Sequence, residues 1–238
     1  MQDPNGLRIS CLYSLGCPEL KMRGIEKLFS IFLEQNEHHP LSFADIADIV
    51  YASRRLDCGY FYRMIAAASG IEDSFCEDVV RSHWVSGALL RPLETAHVEA
   101  VGYPNHLMVM KFKWLLGLPP HHNCAVLSLI KDALRQRVEI PEKILSGTNE
   151  CMVRPGMVIG KSGSSLRVRT IRIGQGKKTV FLSDGEEETI KQGFAFKAKA
   201  GDWVSVHFGE AKEVIAASVA GRLADTIRSA FNFFKTGY

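Results

Sequence analysis

The hydrophobic period of this chain changes once, and that change limits the fold more than any other feature. In the first part, apolar residues recur at helical spacing, as in Glu19–Asn36, where Ile25, Leu28, Phe29 and Phe32 share one face. From Met157 the chain alternates instead. In LRVRTIRI the residues Leu166, Val168, Ile171 and Ile173 are apolar, with one slip at Thr170. A period of 3.6 builds helices and a period of 2 builds strands. The expected fold class is therefore α+β with two domains. Residues 1–145 form an N-terminal all-α helical domain. Residues 149–238 form a small OB-like β-barrel with a C-terminal helix. The stretch EIPEKILSG, near Glu139–Gly147, reads as the connector.

Boundary signals divide the two parts further. SFADIADIVYAS has Ser42 as an N-cap, with Asp45 where a capping-box acid sits. DCGYFYRMIAAASG stops at Gly70, a C′ glycine. SFCEDVVRSHWVSGALL turns Val79, Val80, Trp84 and Leu89 or Leu90 inward. NHLMVMKFKWLLG and HHNCAVLSLIKDALRQR are two more helices, separated by Pro119 and Pro120. The strands are MVIG, LRVRTIRI, TVFLSDG and GDWVSVHFG, with KSGSS and GQGKK as turn signals between the first three. A closing helix is expected from about Val214 to Lys235.

Hydrophobic residues make up 46% and charged residues 23%, which excludes a disordered chain. No apolar run is long enough to span a bilayer, and MQDPNGLRIS has no basic and apolar leader pattern. Cytoplasmic location, away from membranes, is the expectation. The six cysteines form no C-x-x-C pair, so no zinc ribbon is expected, and in a reducing compartment they are expected to be free thiols, buried hydrophobes or ligands rather than disulfides. Charge is uneven. Residues 1–150 carry 15 Lys+Arg against 18 Asp+Glu, and residues 151–238 carry 14 against 8. The second domain is therefore the one whose surface suits an acidic partner.

Two motifs stand in the second domain. The first is Cys151, three residues, Pro155, Gly156, then the strand MVIG. The second is GDWVSVHFGEA, with Gly201, Asp202, Trp203, Val204, Val206, His207, Gly209 and Ala211. In this order and ahead of a terminal helix, they resemble the HypC/HupF-type hydrogenase-assembly chaperones over residues 149–235. The resemblance implies an accessory protein of nickel–iron hydrogenase maturation. Such a protein carries an iron bearing cyanide and carbon monoxide. Its partners are an assembly scaffold protein and the hydrogenase large subunit precursor. It also implies that Cys151 and His207 are the functional pair, and that Pro155, Gly156 and Gly209 serve partner binding. No catalysis of its own follows from it.

Elementary coordination chemistry agrees with an iron role. Iron(II) accepts thiolate and imidazole, and a soft thiolate suits an iron with strong-field diatomic ligands. Arg154, three residues from Cys151, is placed to lower the thiol pKa. Taken without the resemblance, Cys151 reads as a small buried hydrophobe and His207 as a hydrogen-bonded structural histidine. In PPHHNC, His121 and Cys124 are three apart and share a helix face. They read either as half a metal site, supplying further ligands to an iron on Cys151, or as a polar helix start with a buried thiol. His38 and His39 read as a solvated loop, and Cys11 and Cys17 flank a turn-like LYSLG.

Two other functions compete. Arg167, Arg169 and Arg172, with Lys177 and Lys178, give one strand face the basic character of a nucleic-acid-binding small barrel. Aromatics interleaved with them are scarce, so nucleic acid is not the favoured partner. The other is a cysteine-dependent enzyme with Cys58, Cys124 or Cys151 as nucleophile. The chain carries no G-x-S-x-G, P-loop, G-x-G-x-x-G or H-E-x-x-H motif, and this reading ranks below the first.

Overall fold

A computed structural model describes residues 4–17, 26–34, 43–89, 92, 115–177 and 179–236. Ser42, His38, His39, Leu90, Lys178 and most of NHLMVMKFKWLLG lie outside the described residues, as do both ends of Glu19–Asn36. Contacts divide the chain into two compact units. One is drawn from residues 1–84 and 88–120, the other from residues 85–87 and 121–238.

The first unit is helical. Its described elements are α1 (Pro4–Ser14), α2 (Glu26–Glu34), α3 (Phe43–Arg55), α4 (Asp57–Ser69) and α5 (Glu77–Arg81). A π-helical turn, Ser82–Ser86, follows α5. Gly70, at φ +67°, ends α4 as the sequence implied, its N–H meeting carbonyls of the last turn. Val79, Val80 and Trp84 are buried, with Tyr13, Phe29, Met64 and Phe75 among the residues that complete the core. LYSLG is not simply a turn, because α1 runs through Ser14 and takes Cys11 into the core. Several buried polar groups in this core are paired. The Tyr62 hydroxyl donates to Ser10 Oγ at 3.1 Å and accepts from the Trp84 indole. His83 Nδ1 donates to the Pro120 carbonyl at 2.8 Å.

The second unit holds α6 (His122–Ser128), α7 (Lys131–Gln136) and α8 (Glu142–Cys151). Five strands follow: β1 (Arg154–Ser162), β2 (Ser165–Gly176), β3 (Thr179–Lys191), β4 (Trp203–His207) and β5 (Glu210–Ile215). Helix α9 (Ala217–Thr236) ends the unit. The strands close into a barrel in the order β1-β2-β3-β5-β4. Strand β1 runs antiparallel to both β2 and β4, and β3 meets β5 in parallel at Lys191 and Glu210. This is the OB-like barrel of the α+β expectation.

Alternation in β2 puts Leu166 and Val168 into the barrel core and leaves Arg167 and Arg169 outside. The slip at Thr170 is a β-bulge. The β2–β3 register shifts between Thr170 and Ile171, so both are buried in succession. Thr170 Oγ1 donates to the Pro155 carbonyl at 2.8 Å, which satisfies the hydroxyl that the slip turns inward. Helix α9 buries Ala220, Leu223, Ala224, Ile227, Ala230, Phe231 and Phe234, a stripe at helical spacing.

Two local expectations are corrected. Val214 and Ile215 belong to strand β5, not to the last helix, which starts at Ala217, because a two-residue turn at Phe208–Gly209 folds residues 210–215 back onto β4. Both turn residues have positive φ, +50° and +68°, as a type I′ hairpin requires. The stretch EIPEKILSG is not a plain connector either: it enters α8, which runs to Cys151. The compact unit holding the barrel accordingly starts near His121, whereas the sequence suggested a division at 145–149.

Three carboxamides tie helices and barrel together within this unit. Asn123 Nδ2 donates to the Val153 carbonyl at 2.8 Å, and its Oδ1 accepts from Val153 N at 2.9 Å. Asn149 makes the same two bonds with Ile173, at 2.9 and 2.8 Å. Gln175 makes them with Ile140, at 2.9 and 3.0 Å. Each amide side chain satisfies one backbone donor and one backbone acceptor at once.

Candidate metal centre

Three potential ligands converge in the barrel unit. His122 is the first residue of α6, Cys151 the last of α8, and His207 the last of β4. A backbone tie lies within two residues of each. Asn123, beside His122, is clamped to Val153. Asn149, two residues before Cys151, is clamped to Ile173. Phe208, beside His207, donates its N–H to the Glu150 carbonyl at 2.8 Å. The positive φ of Phe208 is uncommon for a bulky residue, and it turns the chain immediately after His207.

Cys151 Sγ and one nitrogen of each imidazole all lie within 4.8 Å of one another. Sγ is 3.8 Å from His122 Nε2. The two imidazole rings meet edge to face, with centroids 5.3 Å apart. The Phe208 ring lies 4.3 Å from that of His207. His207 is buried, while His122 and Cys151 are partly exposed, so the cluster is reachable from solvent on their side.

Distance and chemistry both fit a first-row metal. Two ligands at zinc–sulfur and zinc–nitrogen bond lengths sit about 3.5 Å apart in a tetrahedral shell, close to the Sγ–Nε2 separation. Packing around His122 pushes its pKa down to about 4, against a smaller upward effect of its bond to the Cys151 carbonyl. It is therefore a neutral imidazole at pH 7, the form that ligates. Its Nε2 faces that carbonyl at 2.9 Å. A carbonyl only accepts, so Nε2 carries the hydrogen there. Giving up this bond costs about 1 kcal/mol, little beside the ~10–16 kcal/mol typical of a structural zinc site.

The other residues singled out in the sequence lie elsewhere. His121 is the N-cap of α6 and its Nδ1 accepts from Asn123 N at 3.1 Å. Burial, then the neighbouring His122, push its pKa down to about 3. Cys124 is sealed in the core, where burial pushes its thiol up to about 12, against ionisation and ligation. His122, on a different face from this pair, is the residue of PPHHNC that joins Cys151. The signal available was helix phase: with the cap at His121, the first helical residue is the one left to face the barrel.

Arg154 does not serve the thiol. It is buried, and its guanidinium is 3.0 Å from Glu188 and donates to the Ile171 carbonyl. Gly156 has a packing reason: an added Cβ would come within 2.9 Å of Val206 and 3.3 Å of Val168 in the barrel interior. Pro155 is buried beside it, paired with Ser205 of β4, and Gly209 holds the second position of the β4–β5 turn. The arginines of β2 meet the acidic run of β3. Arg169 pairs with Glu187 at 2.8 Å and Arg172 pairs with Glu188, while Arg167 and Lys177 are exposed. Two of the four described basic residues of this face are thus neutralised across the strand pair, which weakens the nucleic-acid reading.

Among the described residues no helix is long and apolar enough to cross a membrane. Fold and site together define a two-unit α+β protein whose OB-like barrel carries a Cys–His–His cluster at the ends of three elements. A model of a family of unknown function, DUF6390, matches residues 34–236, and the chain belongs to that family. The match runs through the helical part and the barrel alike. No curated protein and no solved structure matches the chain.

Proposed function

We propose that this protein is an accessory protein of nickel–iron hydrogenase maturation. In this reading it binds an assembly scaffold or the large subunit precursor, and handles an iron centre through Cys151 and His207. One observation carries the reading. Two residues drawn from separate motifs, 56 positions apart in the chain, belong to a donor cluster no wider than 4.8 Å. The iron with its diatomic ligands is cargo, so an exposed edge at Cys151 suits both its arrival and its release.

The Cys151–His122 distance of 3.8 Å also resembles a nucleophile with its base. The carbonyl in front of Nε2 weakens that reading: the tautomer it favours has no lone pair for the thiol proton, and without an ion nothing offsets the loss of that bond. The test is genetic and biochemical. In a host that makes a nickel–iron hydrogenase, Cys151→Ala is expected to abolish maturation while the variant accumulates as folded protein. Normal hydrogenase activity in that strain overturns the proposal.

A further inference from the structure

We infer that His122 is a third protein ligand, and that Cys151, His122 and His207 together hold one first-row divalent cation, Zn²⁺ or Fe²⁺, without any partner protein. The inference deepens the function proposed above and rests on its Cys151–His207 pair. It adds a residue that neither motif contains and a different consequence: the site retains a metal as well as handling it.

Two donors leave half of a four-coordinate shell to water or a partner, a loose arrangement. Three donors from three elements leave one open position in a four-coordinate shell, the pattern of zinc sites that bind and exchange a fourth ligand. Thiolate with two imidazoles suits zinc and iron(II) and does not suit magnesium or calcium, which take oxygen. Each donor stands within two residues of a backbone tie, so little further ordering is needed when the ion arrives. His122 already lies 3.8 Å from the sulfur, and its ring is edge to face with that of His207. The partly exposed edge at His122 and Cys151 provides an entry path. Binding releases the thiol proton, because the thiolate is the ligand.

The test uses the full chain, stripped with chelator under anaerobic conditions and titrated with Co²⁺ as a spectroscopic probe, then with Zn²⁺ in competition. One equivalent is expected, with a thiolate-to-cobalt charge-transfer band and a tetrahedral ligand field. His122→Ala is expected to keep the thiolate band but lose at least tenfold in affinity, the lower end of what even an outer-shell change costs a metal site. His122→Gln keeps an N–H for the Cys151 carbonyl and removes the imidazole. A like loss there, with unchanged thermal melting, assigns the effect to ligation. Unchanged affinity in both variants overturns the third ligand. Absence of metal binding by the wild type overturns the resident site. If Cys151→Ala still abolishes hydrogenase maturation in that case, the assembly reading survives it.

Discussion

His83 in the helical unit and His207 in the barrel unit are equally sealed, at 1% exposure each. Their surroundings differ in kind. His83 lies against Phe61, Tyr62 and Trp84 and donates to a proline carbonyl, within a core whose tyrosine and indole are matched to each other. His207 shares its space with a second imidazole and a thiol. Burial alone therefore does not mark a functional histidine. What marks it is the convergence of further lone pairs on the same few ångströms, from elements distant in sequence.

The sharpest way to break this contrast is metal affinity. Cys151→Ser should weaken Co²⁺ or Zn²⁺ binding by more than about 100-fold, since a ligand itself outweighs the outer-shell partners that cost 10–100-fold. His83→Gln should leave that affinity within about twofold, as read by competition with a chromophoric chelator. Equal losses in both variants would erase the distinction.

A middle-sized effect separates the two cores by what their hydrogen bonds support. Asn149→Ala leaves the N–H and C=O of Ile173 without their partner and should cost about 2–3 kcal/mol in urea unfolding. Because the clamp stands two residues from Cys151, metal affinity should fall as well, by about tenfold. Tyr62→Phe should cost about 1–2 kcal/mol and leave metal affinity unchanged. Stability loss of similar size with no change of affinity in Asn149→Ala would mean that the clamp does not place the donor.

The smallest effect concerns thiols. Cys11 is sealed, and burial raises its pKa well above the ordinary thiol value. It should resist alkylation until the protein unfolds, while Cys151 labels in the native state and is protected by bound metal; peptide mass mapping reads both. A thiol whose pKa is raised by folding contributes stability in full below its unfolded pKa of about 8.5 and loses it as pH climbs, by about 1.4 kcal/mol per unit. Cys11→Ala should flatten that alkaline slope.

Much of the architecture was legible because period is a physical signal. The change from 3.6 to 2, the stop at Gly70 and the single slip at Thr170 each correspond to an element, a cap or a bulge. Strand β5 was hidden because its turn uses Phe208 at positive φ, where sequence reasoning looks for Asn or Gly. Helix α8 was hidden in a stretch whose Pro and Gly suggest a linker. Cys151 and His207 stood out only together and through a resemblance, since each alone reads as core. His122 was missed because its recognition depends on which of two adjacent histidines caps the helix, a one-residue question that spacing does not answer.

The carboxamide clamps have an evolutionary corollary. An amide that bonds to a peptide group is indifferent to the side chain hung on that peptide. Positions 140, 153 and 173 can therefore trade one apolar residue for another of similar volume, proline excepted, while the thiol and imidazoles stay in place. Positions 123, 149 and 175 have no such latitude. Even the near-isosteric exchange of Asn149 for Asp would turn a donor into a charge aimed at the Ile173 carbonyl. Drift in this family should leave those three amides as fixed points in a changing background.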